Sequence, residues 1–136
     1  MFLIDTNIFL EILLEQEKTE ECERLIDYIE ESNQKFYVSS FTMHSIEVIM
    51  TRNNENEALK GFLSDMMESK ITRIETSTIE ESKIVDIVKN TRLDFDDALQ
   101  YFVCKNNGLA IISFDGHFEM MHIRRLEPKE IIQDWK

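Results

Sequence analysis

The sequence has few of the residues that make tight turns: three glycines and one proline in 136 residues. Their scarcity favours helix-rich structure and argues against a barrel of many tight turns. Long apolar runs are also missing, and none approaches the roughly 20 residues that a membrane helix needs. The apolar opening is interrupted at Asp5, Thr6 and Asn7, and no basic segment precedes it. We therefore expect neither a membrane span nor a signal peptide.

Cysteine and histidine are scarce as well. The two cysteines, Cys22 and Cys104, have no CxxC spacing, and His44, His117 and His122 lack the spacing of zinc ligands. This excludes a disulfide framework and a zinc site of the usual kind. Isolated thiols in a chain without a signal indicate a reducing, cytoplasmic location.

Basic residues are outnumbered, 15 against 27 acidic residues, and the net charge is −12. Such a chain is repelled by nucleic acid overall, which argues against a nuclease. A divalent metal site would use several of the carboxylates and reverse the local field. Basic clusters also remain, such as Arg124 and Arg125 with Lys129, and solvated helix faces such as residues 15–23 explain much of the acidic excess.

What the sequence does contain is an apolar fraction of 43%, ordinary for a globular protein, and a length that fits a single domain spanning residues 1–136. Hydrophobic patterning predicts strands at Phe2–Ile4, 35–38, 71–74, 109–113 and 123–126. It predicts helices at 8–14, 20–31, from Ser39 or Ser40 to about Arg52, 57–68, after a cap at Thr78, 95–106 and from Pro128. Strands thus alternate with helices, which predicts a parallel α/β sheet covered on both faces.

Acidic residues follow the predicted strands. Asp5 comes directly after the first strand, Asp115 follows the strand at 109–113, and Asp96 and Asp97 begin a helix. Functional groups of parallel sheets gather at the carboxyl ends of the strands, so these carboxylates are candidates for one site. The simpler alternatives are a helix N-cap for Asp5 and an Asp-Gly turn for Asp115.

Glu47 lies in a helix, residues 41–50, that is apolar on most sides. A buried carboxylate without a partner is costly, so Glu47 needs a cation, a metal or an opening to water. The alternative is an exposed glutamate beside an arginine such as Arg52.

Three acids, Asp94, Asp96 and Asp97, crowd the start of another apolar helix. The helix dipole accounts for one or two of them, and a bound cation would relieve the repulsion among all three. Periodicity does not choose between Asp96 and Asp97 as the functional residue.

Together these segments resemble the PIN-domain family, and more narrowly the VapC-like toxins and their stand-alone relatives. The matching pieces occur in the family's order and spacing over nearly the whole chain: LIDTNIFLEIL, SSFTMHSIEVI, LDFDDALQYFVCKNNG, AIISFDGHF and LEPKEII. The resemblance implies a three-layer α/β/α fold with a central parallel sheet of five strands in the order 3-2-1-4-5.

The resemblance also implies a site. Its catalytic residues would be Asp5, Glu47, Asp97 and Asp115. Its supporting residues would be Asn7 and Ser113, with Phe118 as the aromatic residue after the last acid. The Asp96-Asp97 pair departs from the family's pattern and leaves Asp96 as a spare carboxylate, which we expect to support the site. Asp5, Asp97 and Asp115 would ligate a first Mg²⁺ or Mn²⁺, while Glu47 would hold a second ion or orient the attacking water.

The implied function is metal-dependent endoribonuclease activity that leaves a 5′ phosphate and a 3′ hydroxyl, as the toxin of a toxin–antitoxin pair. The implied partners are RNA, a small antitoxin and a second copy in a homodimer. Residues 62–67, rich in Met and Phe, could form that protein surface or belong to the core. The alternative is a PIN fold that serves as an RNA-binding or scaffold module. A phosphoacceptor receiver domain and a haloacid-type phosphatase fit poorly, since the first strand ends in Asp5-Thr6-Asn7.

Overall fold

Five strands form one parallel sheet in the computed structural model, which describes residues 1–135. The strands are β1 Phe2–Ile4, β2 Phe36–Ser39, β3 Thr72–Ile74, β4 Ala110–Ile112 and β5 Arg125–Leu126. Their order is β3-β2-β1-β4-β5, and every neighbouring pair is parallel. The predicted fold class and strand order are confirmed.

Residues 1–135 contain seven α-helices, of which the last follows β5. They are α1 Thr6–Leu13, α2 Thr19–Glu31, α3 Ser40–Arg52, α4 Asn56–Glu68, α5 Thr78–Asn90, α6 Phe95–Asn107 and α7 Pro128–Ile132. A 3-10 helix spans Gly116–Met121. Within the same residues, no helix combines the length and the hydrophobicity that crossing a bilayer requires.

The sheet buries apolar side chains on both faces. Successive residues of a strand point to opposite sides, and β1 follows this rule. Phe2 and Ile4 belong to one apolar cluster, which α1, α2, α3 and α7 help to form. Leu3 belongs to a second cluster, formed with α5 and α6. The sheet is therefore the middle layer of three, as expected for strands that read as uninterrupted apolar runs.

Local chemistry sets the helix ends, with two departures from the sequence prediction. The N-cap of α5 is Ser77, not Thr78, because Ser77 and Glu80 form a reciprocal capping box. The segment after Asp115 is not a simple turn but the start of the 3-10 helix. Helix α6 ends as predicted at Gly108, whose φ of 63° lies in the left-handed region that glycine adopts without strain.

Candidate metal site

A pocket of about 260 Å³ opens at the carboxyl ends of the central strands. Acidic and amide side chains from three segments line it: Asp5, Asn7, Asp96, Asp97, Gln100 and Asp115. The topology explains the convergence, because β1 and β4 are adjacent and parallel and their chains leave the sheet at the same edge. The structure thus brings together three of the four predicted acids, together with Asp96.

Three hydrogen bonds hold the carboxylate of Asp5, which is only 8% exposed. Its Oδ1 accepts from the backbone N–H of Thr6 at 2.9 Å and from Nε2 of Gln100 at 3.0 Å. Its Oδ2 accepts from Oγ of Ser113 at 2.6 Å. A carboxylate oxygen has about two lone-pair directions, so Oδ2 keeps one free for a further partner. Asp5 is therefore both the N-cap of α1, as the simpler alternative held, and a fixed ligand candidate.

Gln100 connects Asp5 to the start of α3. Its buried amide nitrogen also donates to Oγ1 of Thr42 at 2.9 Å, and its amide oxygen accepts from Oγ of Ser39 at 2.7 Å. Ser39 in turn caps α3 by accepting from the backbone N–H of Thr42. The sequence prediction missed Gln100, and the available signal was an amide side chain inside an apolar stretch of α6.

Ser113 joins the other side of the site. While donating to Asp5, its Oγ accepts from Nδ2 of Asn7 at 3.3 Å and from the backbone N–H of Asp115 at 2.9 Å. The side-chain oxygen of Asn7 is buried and has no hydrogen-bond partner within residues 1–135. An unsatisfied buried acceptor costs free energy, so this oxygen points to a ligand of positive character at the site.

Asp97 and Asp115 meet at His117. The Nδ1 atom of His117 lies 3.3 Å from Oδ2 of Asp97 and 3.2 Å from Oδ1 of Asp115. Potential metal-ligand atoms of the three residues all lie within 4.8 Å of one another. The hydrogen bond to Asp97 and the charge of Asp115 raise the pKa of His117 above its usual value. The exposed imidazole thus shields two clustered carboxylates.

Two carboxylates of the pocket, Asp97 and Asp96, have raised pKa values. Burial, then the carboxylates of Asp115, Asp94 and Asp5, raise the pKa of Asp97 against the opposing effect of its bond to His117. Asp96 is exposed overall, and the partial burial of its carboxylate, followed by the charges of Asp94 and Asp5, raises its pKa. Carboxylates with raised pKa values are those whose ionised forms gain most from a bound cation.

Glu47 lies outside this pocket, so the expectation of four converging acids needs correction. The α3 residues that line the pocket are Phe41, Ser45 and Ile49, at every fourth position. Glu47 is two positions from Ser45 and therefore roughly 200° around the helix. Its Oε1 lies 2.9 Å from Nδ1 of His44, so its partner is a histidine rather than Arg52.

The residues present fit a hard divalent cation. Mg²⁺ and Mn²⁺ prefer oxygen ligands, and Asp5, Asp97 and Asp115 supply carboxylate oxygens while Asn7 adds an unpartnered amide oxygen. The imidazole of His117 is a further possible ligand beside them.

The family model described as PIN domain matches residues 2–122 of the chain. Among solved structures, VapC20 of Mycobacterium tuberculosis, described as a Sarcin-Ricin loop cleaving toxin, aligns with a TM-score of 0.78 and 14% identity, covering 94% of this chain and 100% of that one. VapBC2 from Rickettsia felis, bound to a DNA fragment from their promoter, aligns at 0.72 with 12% identity, covering 93% and 97%. FitAcB from Neisseria gonorrhoeae aligns at 0.67 with 16% identity, covering 94% and 98%. No curated protein matches the sequence significantly.

Proposed function

The chain belongs to the PIN-domain family, and we propose that it is a metal-dependent endoribonuclease acting as the toxin of a toxin–antitoxin pair. The observation that supports this proposal is the convergence of Asp5, Asp97 and Asp115 on one pocket that also contains the unpartnered oxygen of Asn7. The same arrangement supports Mg²⁺ or Mn²⁺ as the cofactor.

The proposed chemistry divides between the cation and the chain. A bound divalent cation supplies a Lewis acid for the phosphodiester and lowers the pKa of water. Asp97 and Asp115 would hold the cation, with Asp5 as the third carboxylate of the pocket. The hydrogen bonds from Gln100 and Ser113 keep the Asp5 carboxylate in position. The Nδ1 atom of the exposed His117 lies beside both acids, where it would exchange a proton with solvent or substrate.

The acidity of the chain supports a strict metal requirement. With a net charge of −12, the protein repels RNA phosphates at long range. Cations bound among the pocket carboxylates reverse the field where the substrate must approach. We therefore expect RNA binding at the pocket, and not only catalysis, to depend on the divalent ion.

An antitoxin partner fits a second feature of the surface. A groove of about 550 Å³ between α1, α2 and α4 is lined by apolar side chains, among them Phe9, Leu13, Ile26, Phe62 and Met66. We propose that an amphipathic helix of a small antitoxin occupies this groove with its apolar face. Two of the similar structures are named for pairs, the toxin-antitoxin complex from Klebsiella pneumoniae and VapBC2.

Within residues 62–67, Phe62, Leu63 and Met66 pack against the core, whereas Met67 is 81% exposed. The sequence left open whether this segment is core or a protein-binding surface. Its three packed residues belong to the core, and Met67 lies on the surface. We also propose that, without an antitoxin, a second copy of the chain covers the same groove in a homodimer. The mass of the purified protein in solution, measured by light scattering with and without a co-expressed antitoxin, tests this.

The nuclease proposal is tested with purified protein and a structured RNA in the presence of Mg²⁺ or Mn²⁺. Wild type should cleave, EDTA should stop cleavage, and Asp97→Asn should lower the rate by at least about 100-fold. Glu47→Gln is the matched control, because it removes a carboxylate that lies outside the pocket and should retain cleavage. Activity that survives EDTA, or an Asp97→Asn variant as active as wild type, contradicts the proposal.

One observation favours the alternative of a binding or scaffold module: α3 presents Ser45 to the pocket rather than an acid. Such a module would bind RNA or a protein without turning over substrate. RNA binding by wild type with no metal-dependent cleavage of any RNA tested would select this alternative.

A further inference from the structure

We propose that Asp96 supplies the fourth carboxylate of the metal site, in the role that sequence alone gave to Glu47. The inference rests on the proposed function and specifies the ligand set of that same site. Asp96 lines the pocket together with Asp5, Asp97 and Asp115.

The geometry of α6 presents two acids to the pocket. Residues three and four positions apart share a helix face, so Gln100 lies on the face of Asp97 and equally on that of Asp96. Gln100 is buried and donates to Asp5. Asp96 and Asp97 therefore lie on either side of Gln100, whose side chain reaches Asp5.

Asp96 and Asp97 differ in their neighbours. Asp97 contacts His117, and potential metal-ligand atoms of Asp97, Asp115 and His117 all lie within 4.8 Å of one another. Asp96 lines the same pocket but does not belong to that group. Asp96 thus extends the carboxylates of the pocket beyond the group that contains Asp115. A second ion or an ordered water there would have Asp96 as its carboxylate partner.

Glu47 cannot take this place without unfolding the local core. Bringing it to the pocket requires about half a turn of α3 about its axis. That rotation would expose Met43, Ile46 and Met50, which are buried against the sheet. The pocket position on α3 belongs to Ser45, which offers a hydroxyl and no charge.

A second, independent observation points to a ligand in this pocket. The amide oxygen of Asn7, another pocket residue, is buried and has no donor within residues 1–135. A cation there would satisfy that oxygen, and both acids of α6 line the same pocket. Since Asp96 is exposed, its carboxylate is open to ions from solvent.

The test is calorimetric titration of Mn²⁺, and separately Mg²⁺, into the full chain. Asp96→Asn should weaken binding by about tenfold or more, or remove one of two binding steps. Glu47→Gln should stay within about threefold of wild type, because its carboxylate is outside the pocket. Asp94→Asn is a second control: it removes a charge from the same helix terminus, yet asparagine still caps the helix.

Thermal unfolding of each metal-free variant verifies that it folds. Unchanged metal binding by Asp96→Asn overturns the inference, as does a loss in Glu47→Gln or Asp94→Asn that equals the loss in Asp96→Asn. The proposed function fails in a different way, when wild type binds neither ion or when Asp97→Asn binds both as wild type does.

Discussion

The side-chain amide of Gln100 donates a 3.0 Å hydrogen bond to Oδ1 of Asp5, so a neutral residue buried in α6 orients a carboxylate at the end of β1. The same amide bonds Ser39 and Thr42 at the start of α3. Three segments of the chain are therefore held at fixed positions around the pocket by one side chain.

Replacing Gln100 by methionine, which is similar in length, should affect both stability and metal binding. It removes one hydrogen bond each from Asp5, Ser39 and Thr42 and replaces the buried amide by an apolar group, at a cost of about 1–3 kcal/mol in the free energy of unfolding. Loss of a supporting hydrogen bond should also weaken Mn²⁺ binding by about 10- to 100-fold. Urea unfolding and calorimetry measure the two effects. A variant that is less stable but binds Mn²⁺ normally would reduce Gln100 to a purely structural residue.

Much of the fold could be predicted because local sequence patterns indicate its strands and helices. Uninterrupted apolar runs bounded by polar residues indicate buried parallel strands, and the rule for strand ends directed attention to Asp5 and Asp115. Ser77 was missed as the cap of α5 because two hydroxyl residues, Ser77 and Thr78, stand side by side. Only the reciprocal bond with Glu80 distinguishes them.

The position of Glu47 could not be predicted, for a physical reason. Helix α3 is apolar on most sides, so its sequence contains no clear polar face from which to read its rotation. Packing of Ile46 and Met50 into the core decides the rotation and turns Ser45 to the pocket. The role of Gln100 could not be predicted either, because only the folded chain shows which groups its buried amide contacts.

Metal affinity should depend on pH more strongly than for ordinary carboxylates. Burial and the neighbouring acids raise the pKa values of Asp97 and Asp96, so protons compete with the cation at pH values above the usual 3.8. Binding should therefore weaken as the pH falls from neutral towards 3.8. Calorimetric titration of Mn²⁺ at several pH values measures this, and an affinity that is constant down to the lower limit would contradict it.

Without metal, Asp97 should destabilise the fold at neutral pH. Its folded pKa lies above the unfolded value, so the folded state binds the proton more tightly. The contribution of Asp97 to stability is therefore largest below 3.8 and is lost as the pH rises through its folded pKa. Asp97→Asn should therefore stabilise the metal-free protein slightly at pH 7, by less than about 1 kcal/mol in the free energy of unfolding. A small rise in its melting temperature measures this. Saturating Mn²⁺ should reverse the order, because only wild type gains from tight binding.

The imidazole of His117 should report on occupation of the site. Its bond to Asp97 and the charge of Asp115 raise its pKa above 6.5 in the metal-free protein. A cation that neutralises these carboxylates should lower that pKa, which NMR can follow as the protein is titrated with Mg²⁺. A pKa that does not move at saturating Mg²⁺ would mean that the ion binds elsewhere.

The two cysteines should be inert while the protein is folded. Cys22 and Cys104 are free and buried, and burial is the main reason that the pKa of each thiol is about 12. Thiolates are the reactive form, so a thiol-specific chromogenic reagent should react slowly at neutral pH. Both thiols should react promptly in denaturant. Fast reaction of either thiol in native buffer would show that its surroundings open readily.

The bond between Asp5 and Ser113 joins residues 108 positions apart in the chain. During synthesis, Asp5 is translated long before Ser113, whose hydroxyl donates to it. It is also translated before β4, the strand that pairs with β1. Nascent chains that end before Ser113 lack both its hydroxyl and Asp115. An activity based on this site would therefore be delayed until almost the whole polypeptide had been translated.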